Sequence, residues 1–400
     1  QCQMCIRDSV KALEFYQQAL VIHREIGDRS GESNSLNNIG SIYNSLGQYS
    51  RALEFYQRAL GIAKEIRNRK GEGTTLNNIG VIYTNLGQYV KALELYQQAL
   101  VIHREIGDRK VESNTLNNIG GTYNSLGQYS KALDFHQQAL VICREIGNRA
   151  GEGVALSSIG SVYNALSQYT KALDYHQQSL AISKEIGDRS GESASLNNIG
   201  RVYEQLSQYT KALDYHQQSL AISKEIGDRS GESVSLNNIG RVYEQLGQYA
   251  KALDYHQQSL AISKEIGDRS GESTSLNNIG LVYDALSQYA KALDYHQQSL
   301  AISKEIGARS DESNSLNNIG LVYMKLGLYT KALDYLQQSL AISKEIGNRF
   351  GESAALTNTG SVYRRLEKNS EALSYYQQAL VIDQEIGSRW GEGFSRDYIG

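Results

Sequence analysis

Apolar and polar positions along this chain repeat with two periods at once. At short range, Leu36, Ile39, Tyr43 and Leu46 are spaced by three, four and three residues, which gathers them on one side of a predicted helix, helix A. Gly47, or a serine at the same place in other copies, interrupts the pattern. A second run at helical spacing then follows in Ala52, Leu53, Tyr56, Ala59, Leu60, Ala63 and Ile66, predicting helix B. At long range the whole pattern returns every 40 residues, Gly40 recurring at each fortieth position to Gly400. Residues 171–190 are repeated letter for letter at 211–230 and 251–270.

This organisation divides the chain into a half unit over 10–30, nine full units over 31–390 and the start of a further unit over 391–400. No linker or shift of composition separates them, so one continuous array is expected. Solenoids need polar terminal units to shield their end faces; the half units at both ends lead to the expectation that the chain is a fragment. Residues 1–9 do not fit the repeat, resemble translated sequencing-adaptor read-through and are expected not to pack. Each unit closes on Ile-Gly-Asp-Arg or a variant of it. Gly suits the left-handed position after a helix, and Asp suits the cap of the next one. Asp or Asn holds the cap position in all copies except Ala308 and Ser388, and only Ala308 cannot cap.

The spacing Leu36-x-x-Ile39-Gly40-x-x-Tyr43 followed by Ala52-x-x-x-Tyr56-x-x-Ala59 resembles the tetratricopeptide (TPR) repeat, with Leu where that family often has Trp. The period of 40 rather than about 34 and the missing closing proline look like the long-helix branch found in kinesin light chains, Pins-type spindle scaffolds and many bacterial signalling arrays. The resemblance implies an all-α, right-handed superhelical solenoid of antiparallel helix pairs, with the A helices forming its concave wall. It implies little about a partner. Within such a fold, Gly40 lets helix A approach helix B closely, and Tyr43, Tyr49 and Tyr56 fill the space between helices.

Composition narrows the function classes. A net charge of -3 argues against a nucleic-acid groove, which needs a basic face. No apolar run is long enough to cross a bilayer, and no basic-then-apolar leader opens the chain, so the expected location is cytoplasmic, away from membranes. Three cysteines exclude a disulfide framework, and the Cys2-x-x-Cys5 pair lacks the partners of a four-ligand metal site.

Comparing the copies identifies candidate binding residues. Positions 34, 37, 41 and 44 form a stripe opposite the core, which should line the groove. Position 37 is Asn in seven of nine units (Asn37, Asn77, Asn117, Asn197, Asn237, Asn277 and Asn317), with Ser157 and Thr357 as the exceptions. An amide can both donate and accept, so a ladder of them can hold an extended peptide backbone whatever its sequence, and the kinesin-light-chain type of TPR similarly uses helix-A asparagines. The competing placement has Asn37 or Asn38 bonding the adjacent repeat, and the pattern leaves Asn38 open between the two. Variable neighbours would choose side chains: Arg201, Arg241, Leu281, Leu321, Arg364 and Arg365 give the second half of the stripe cationic and apolar character, and an apolar-acidic peptide is the expected ligand.

Other residues invite chemistry and are better explained by packing. His136, His176, His216, His256 and His296 occupy a helix-B position that is Tyr or Leu elsewhere, so they are expected to be buried and neutral. One per unit cannot supply the convergent ligands of a metal. Glu25, Arg29 and Glu32 recur with the same identity in every junction and read as ion pairs, since a catalytic site needs distinctive neighbours. Cys143 reads as an incidental helix-B residue. The chain is therefore expected to be a non-catalytic scaffold, with no cofactor, that binds a protein or peptide segment in its helix-A groove. The alternative is the sensing arm of a larger signalling enzyme, CHAT protease-like or NTPase, whose catalytic domain would lie beyond Gly400.

Overall fold

The computed structural model describes the backbone of residues 2–388, 391–393 and 396, and the side chains within those ranges from residue 12 onward. The expectation that residues 1–9 do not pack, and most of the further unit over 391–400, fall outside the described side chains. Nineteen helices follow one another from α1 (Cys2–Glu25) to α19 (Asn369–Ile386), with no strand among the described residues. Even-numbered helices, such as α2 (Arg29–Ser45), are the A helices, and odd-numbered ones, such as α3 (Tyr49–Glu65), are the B helices.

Capping chemistry sets these boundaries. Asp28 Oδ1 accepts from the Gly31 N–H at 2.9 Å, and Asn348 Oδ1 from that of Gly351 at 2.9 Å, satisfying donors that the first helical turn leaves open. Gly27 and Gly47 reverse the chain in the left-handed region at φ +71° and +66°. Ala308 makes no side-chain cap, as the sequence predicts.

Within a unit, Leu36 and Ile39 bury in one cluster with Ala59 and Ile62, and Tyr43 stacks on Phe55 with ring centroids 5.4 Å apart. A methyl group added at Gly40 would stand 2.8 Å from Tyr56 Cδ1, so this approach of A to B requires glycine. Between units, successive A helices such as α10 (Arg189–Gln205) and α12 (Arg229–Gln245) also touch one another, which successive B helices do not match; the A helices therefore form the crowded inner wall.

The solenoid winds tightly enough for its turns to meet. Leu46 lies beside Gly267, Leu86 beside Gly307, Leu126 beside Gly347 and Leu166 beside Gly387, a constant separation of 221 residues or about five and a half units. The Arg309 N–H points to the Leu86 carbonyl at 3.4 Å, and the hydroxyls of Tyr49 and Tyr89 bond to Ser270 and Ser310. Ala308, the one residue at this position without a capping side chain, is buried in this seam.

Candidate functional site

Helix A presents its positions 37, 41 and 44 to the inner wall, and hydrogen bonding decides which of them remain open. Asn38-type amides from Asn78 onward reach back one unit to the Asn37-type carbonyl, or to the Ser157 hydroxyl where serine takes its place. Asn78 Nδ2 donates to Asn37 Oδ1 at 3.2 Å, Asn118 to Asn77 at 3.1 Å, Asn318 to Asn277 at 3.0 Å and Asn358 to Asn317 at 2.9 Å. The ladder thus runs along the wall and ties repeat to repeat. The counterparts of Asn38 at Asn78, Asn118, Asn318 and Asn358 thus face the preceding unit.

The Asn37-type residues themselves divide into two groups. Asn197 and Asn237 are buried and bonded at both ends: their Oδ1 atoms lie 2.8 Å from His216 Nδ1 and His256 Nδ1, and their Nδ2 groups donate to Ser235 at 2.9 Å and Ser275 at 3.0 Å. The expectation that these two amides hold a ligand is corrected by their burial together with that bonding, which commits both ends of each side chain within the wall. Asn37, Asn77, Asn117, Asn277 and Asn317 are half-buried, and their Nδ2 groups have no partner among the described residues.

The charged positions divide similarly. Arg241 donates to Glu204 at 2.8 and 3.1 Å, and the same carboxylate lies 2.7 Å from His216 Nε2. Burial works against the Glu204 charge, but the His216 contact and the Arg241 charge outweigh it and hold its pKa below the usual carboxylate range. Arg241 is thereby committed to an internal pair, contrary to the expectation that it faces a ligand. The signal was present in the sequence as Glu at position 44 of one unit and Arg at position 41 of the next.

Arg201 keeps exposed surface and makes no ion pair among the described residues; crowding by the wall, then the nearby Arg241, lowers its pKa. It opens on a cavity of about 640 Å³ that Asn124, Asn164, His176 and Asn198 also line, together with Phe350 and Ser388 from the following turn. His176 Nδ1, Asn124 Oδ1 and Asn164 Oδ1 are buried there without partners. The cause is local: Ser157 replaces the asparagine that would have met His176, and Ser157 instead accepts from Asn198 at 3.0 Å.

Leu281 and Leu321 are half-buried, Leu321 packing beside Met324 and Leu336, while Arg364 and Arg365 are exposed at the end of α18 (Arg349–Arg365). Sequence reasoning missed a buried hydroxyl spine in the middle units, where Ser replaces Ala at the position of Ala59: Ser193 Oγ lies 2.7 Å from Ser219 Oγ, which lies 3.0 Å from Ser235 Oγ.

The histidine ladder is core, as its alternation with Tyr and Leu indicates. Burial pushes His136, His176, His256 and His296 down to about 4. Among the described residues no three potential ligands converge on a metal position, and no helix is long and apolar enough to cross a membrane. Junction ion pairs repeat as predicted: Arg109 meets Glu112 at 2.8 Å and Glu145 of the next unit at 2.6 Å. The two carboxylates differ in setting: Glu112 is buried, whereas Glu145 is exposed and its pair is screened by solvent.

Among curated proteins, none matches the chain in sequence. Solved structures share its fold. A Rap protein complexed with competence and sporulation factor superposes with a TM-score of 0.56 at 15% identity, covering 89% of this chain and 99% of that one. Aspartyl phosphate phosphatase F from Bacillus subtilis gives 0.52 at 16%, covering 89% and 94%. A signal transduction ATPase with a tetratricopeptide repeat sensor from Pyrococcus horikoshii gives 0.51 at 16%, covering 85% and 55%. The model of the tetratricopeptide repeat matches residues 5–65, 71–145, 152–225, 231–305 and 311–385. With helix pairs repeating every 40 residues beneath those matches, the chain belongs to the tetratricopeptide repeat family.

Proposed function

We propose that this array is a protein-interaction scaffold that binds an extended peptide or partner segment along its helix-A inner wall. The observation that carries this reading is the split along that wall. The ladder is internally satisfied at Asn197 and Asn237, whereas open donors remain at Asn37, Asn77, Asn117, Asn277 and Asn317. An accessible, unpaired guanidinium sits at Arg201, with half-buried Leu281 and Leu321 further along. Backbone carbonyls of a ligand would accept from the open amides, an acidic side chain would pair with Arg201, and apolar side chains would cover the two leucines. Arg364 and Arg365 would attract acidic residues at the far end. The Rap structure in complex with a factor supports this use of the fold by likeness alone.

The test is to select ligands from a library of extended peptides on the purified array. Selection of apolar-acidic sequences, with loss of binding in Arg201→Glu and Leu281→Ser, supports the reading. Equal binding by folded variants overturns it. A sensing arm of a larger enzyme would use the same wall, and the full-length gene sequence separates that role from a free-standing scaffold.

A further inference from the structure

Unit four departs from its neighbours in the interior of the array, where the wall is otherwise locked to helix B. In four units the Asn37-type Oδ1 meets Nδ1 of the ladder histidine: Asn117 with His136 at 2.7 Å, Asn197 with His216 at 2.8 Å, Asn237 with His256 at 2.8 Å and Asn277 with His296 at 2.9 Å. Unit four has Ser157 instead, and serine lacks the terminal amide. His176, in α9 (Tyr169–Ile186), is only 1% exposed, yet its Nδ1 has no partner. Ser157 and Ser195 line a hollow of about 250 Å³, and Ser161 lines both this hollow and the 640 Å³ cavity on which His176, Asn198 and Arg201 open. The partners that such an amide uses elsewhere are all still present. Asn198 Nδ2 now donates to Ser157, whereas its counterpart Asn238 donates to Asn197 Oδ1 at 3.3 Å. Ser195 stands where Ser235 and Ser275 accept from Asn197 and Asn237.

From this we infer that a ligand supplies the missing group: a primary carboxamide, that of a glutamine or asparagine, enters from the inner wall at unit four and bonds His176 Nδ1 and Ser195 as the chain's own asparagines do in other units. The group required both accepts from an imidazole N–H and donates to a serine hydroxyl, which a carboxylate, an acceptor only, cannot do. A buried imidazole nitrogen without a partner bears its full desolvation cost, and a ligand that meets it removes that cost. The units already satisfied by their own asparagine have no such gain to offer, so the preference belongs to unit four. Arg201 has no ion-pair partner among the described residues, and the described residues lining its cavity include no carboxylate. The same ligand therefore carries an acidic group beside its carboxamide. This inference rests on the inner wall being the binding surface, and adds to that reading the side chain recognised and the place where it enters.

Calorimetric titration of the whole chain with three probes tests this: the peptide Leu-Gln-Glu-Leu blocked as acetyl and N-methylamide, the same peptide with norvaline for glutamine, and N-acetylglutamine. The parent should bind the glutamine peptide at least about tenfold more tightly than the norvaline one, equivalent to about 1.4 kcal/mol. Ser157→Asn places the chain's own carboxamide in the site and should abolish that preference while raising the melting temperature. His176→Tyr, with a residue that other units carry at this position, should abolish it as well, and circular dichroism checks the fold of both variants. Binding of N-acetylglutamine by the parent but not by Ser157→Asn assigns the site to a free amide as well as to a peptide side chain, and binding of the glutamine peptide alone assigns it to the peptide. Equal binding of the two peptides by the parent, weakened alike in Arg201→Glu, would overturn this inference and leave the inner-wall reading standing. A glutamine preference that persists in Ser157→Asn, a lower melting temperature for that variant, or no binding of any of the three probes would each overturn it too, and the peptide selection described above judges the wall separately.

Discussion

His256 Nδ1 lies 2.8 Å from Asn237 Oδ1, and that amide is fixed in orientation because its Nδ2 donates to Ser275 at 3.0 Å. An amide oxygen only accepts, so Nδ1 carries the imidazole proton and Nε2 is left facing the interior without a partner. The asparagine of the repeat thus serves helix B of its own unit and helix A of the next.

Removing it at two places should give different results. Asn237→Ala leaves a buried imidazole N–H unpaired, at a cost of about 1–3 kcal/mol. The better helix propensity of Ala recovers roughly 0.7 kcal/mol of this. Asn317→Ala meets no histidine, because Leu336 stands at that position. It loses one bond from Asn358, and the propensity gain nearly cancels that loss. Urea midpoints of the two variants check this; equal shifts would refute the lock.

The buried histidines predict acid sensitivity. His136, His176, His256 and His296 titrate at about 4 when folded and near 6.5 when unfolded. Between those values the unfolded chain binds more protons, so stability rises with pH. Their contribution is intact above about 6.5 and is lost as pH falls towards 4, each histidine withdrawing at most about 3 kcal/mol. Tyr occupies the same position in other units, so replacing the four with Tyr should flatten the profile. Urea unfolding at several pH values from neutral to mildly acidic is the measurement, and parallel profiles for parent and variant would refute the prediction.

Glycine substitutions should change sign with location. A methyl group at Gly240 would stand 2.6 Å from His256 Cε1, and Gly240→Ala should destabilise by about 1–3 kcal/mol through overpacking. Gly61 lies inside α3 with nothing within 4 Å of an added methyl. Gly61→Ala should therefore stabilise by up to about 1 kcal/mol. Thermal melts of the two variants that move in the same direction would contradict the packing account.

The seam between turns gives a further contrast. Leu126→Ala removes a buried side chain packed near Gly347 and should cost about 2–5 kcal/mol. Leu326→Ala, at the matching exposed corner, should change stability by less than about 0.5 kcal/mol. A charge at both Leu86 and Leu126 should also part the turns, raising the radius of gyration in solution X-ray scattering while helix content holds. An unchanged radius would mean that the seam does not set the winding.

The sequence made the unit legible and the assembly less so. Two helices, their caps, the packing Gly40 and the core role of the histidines all follow from patterns within one or two units, where spacing alone brings residues together. The contact of Leu86 with Gly307 does not, because it depends on small rotations between units accumulated over more than a full turn. The asparagine stripe was located, but its two faces lie one helical step apart, and periodicity could not say which amide faced solvent. Arg241 and Glu204, 37 residues apart, were readable as a pair only by comparing position 41 of one unit with position 44 of the unit before.

The open groups on the inner wall lead to the last prediction. Of the two arginines in units five and six, Arg241 is held by Glu204 while Arg201 has no ion-pair partner among the described residues. An acidic ligand should therefore depend on the first of these far less than on the second. Reversing the charge at Arg201 should weaken such a peptide by about 1.5–3 kcal/mol, the range for a hydrogen bond to a charged group, and should lower the salt sensitivity of association. Arg241→Gln should act mainly on stability, since it strands a buried carboxylate beside His216. Removing the open amide of Asn277 should cost about 1 kcal/mol in binding, and Leu281→Ser somewhat more through lost apolar contact. Titrating one selected peptide against these four variants by calorimetry separates the roles. If Arg201→Glu, Asn277→Ala and Leu281→Ser all bind like the parent while remaining folded, the inner wall is not the binding surface, and the convex helix-B face becomes the place to look.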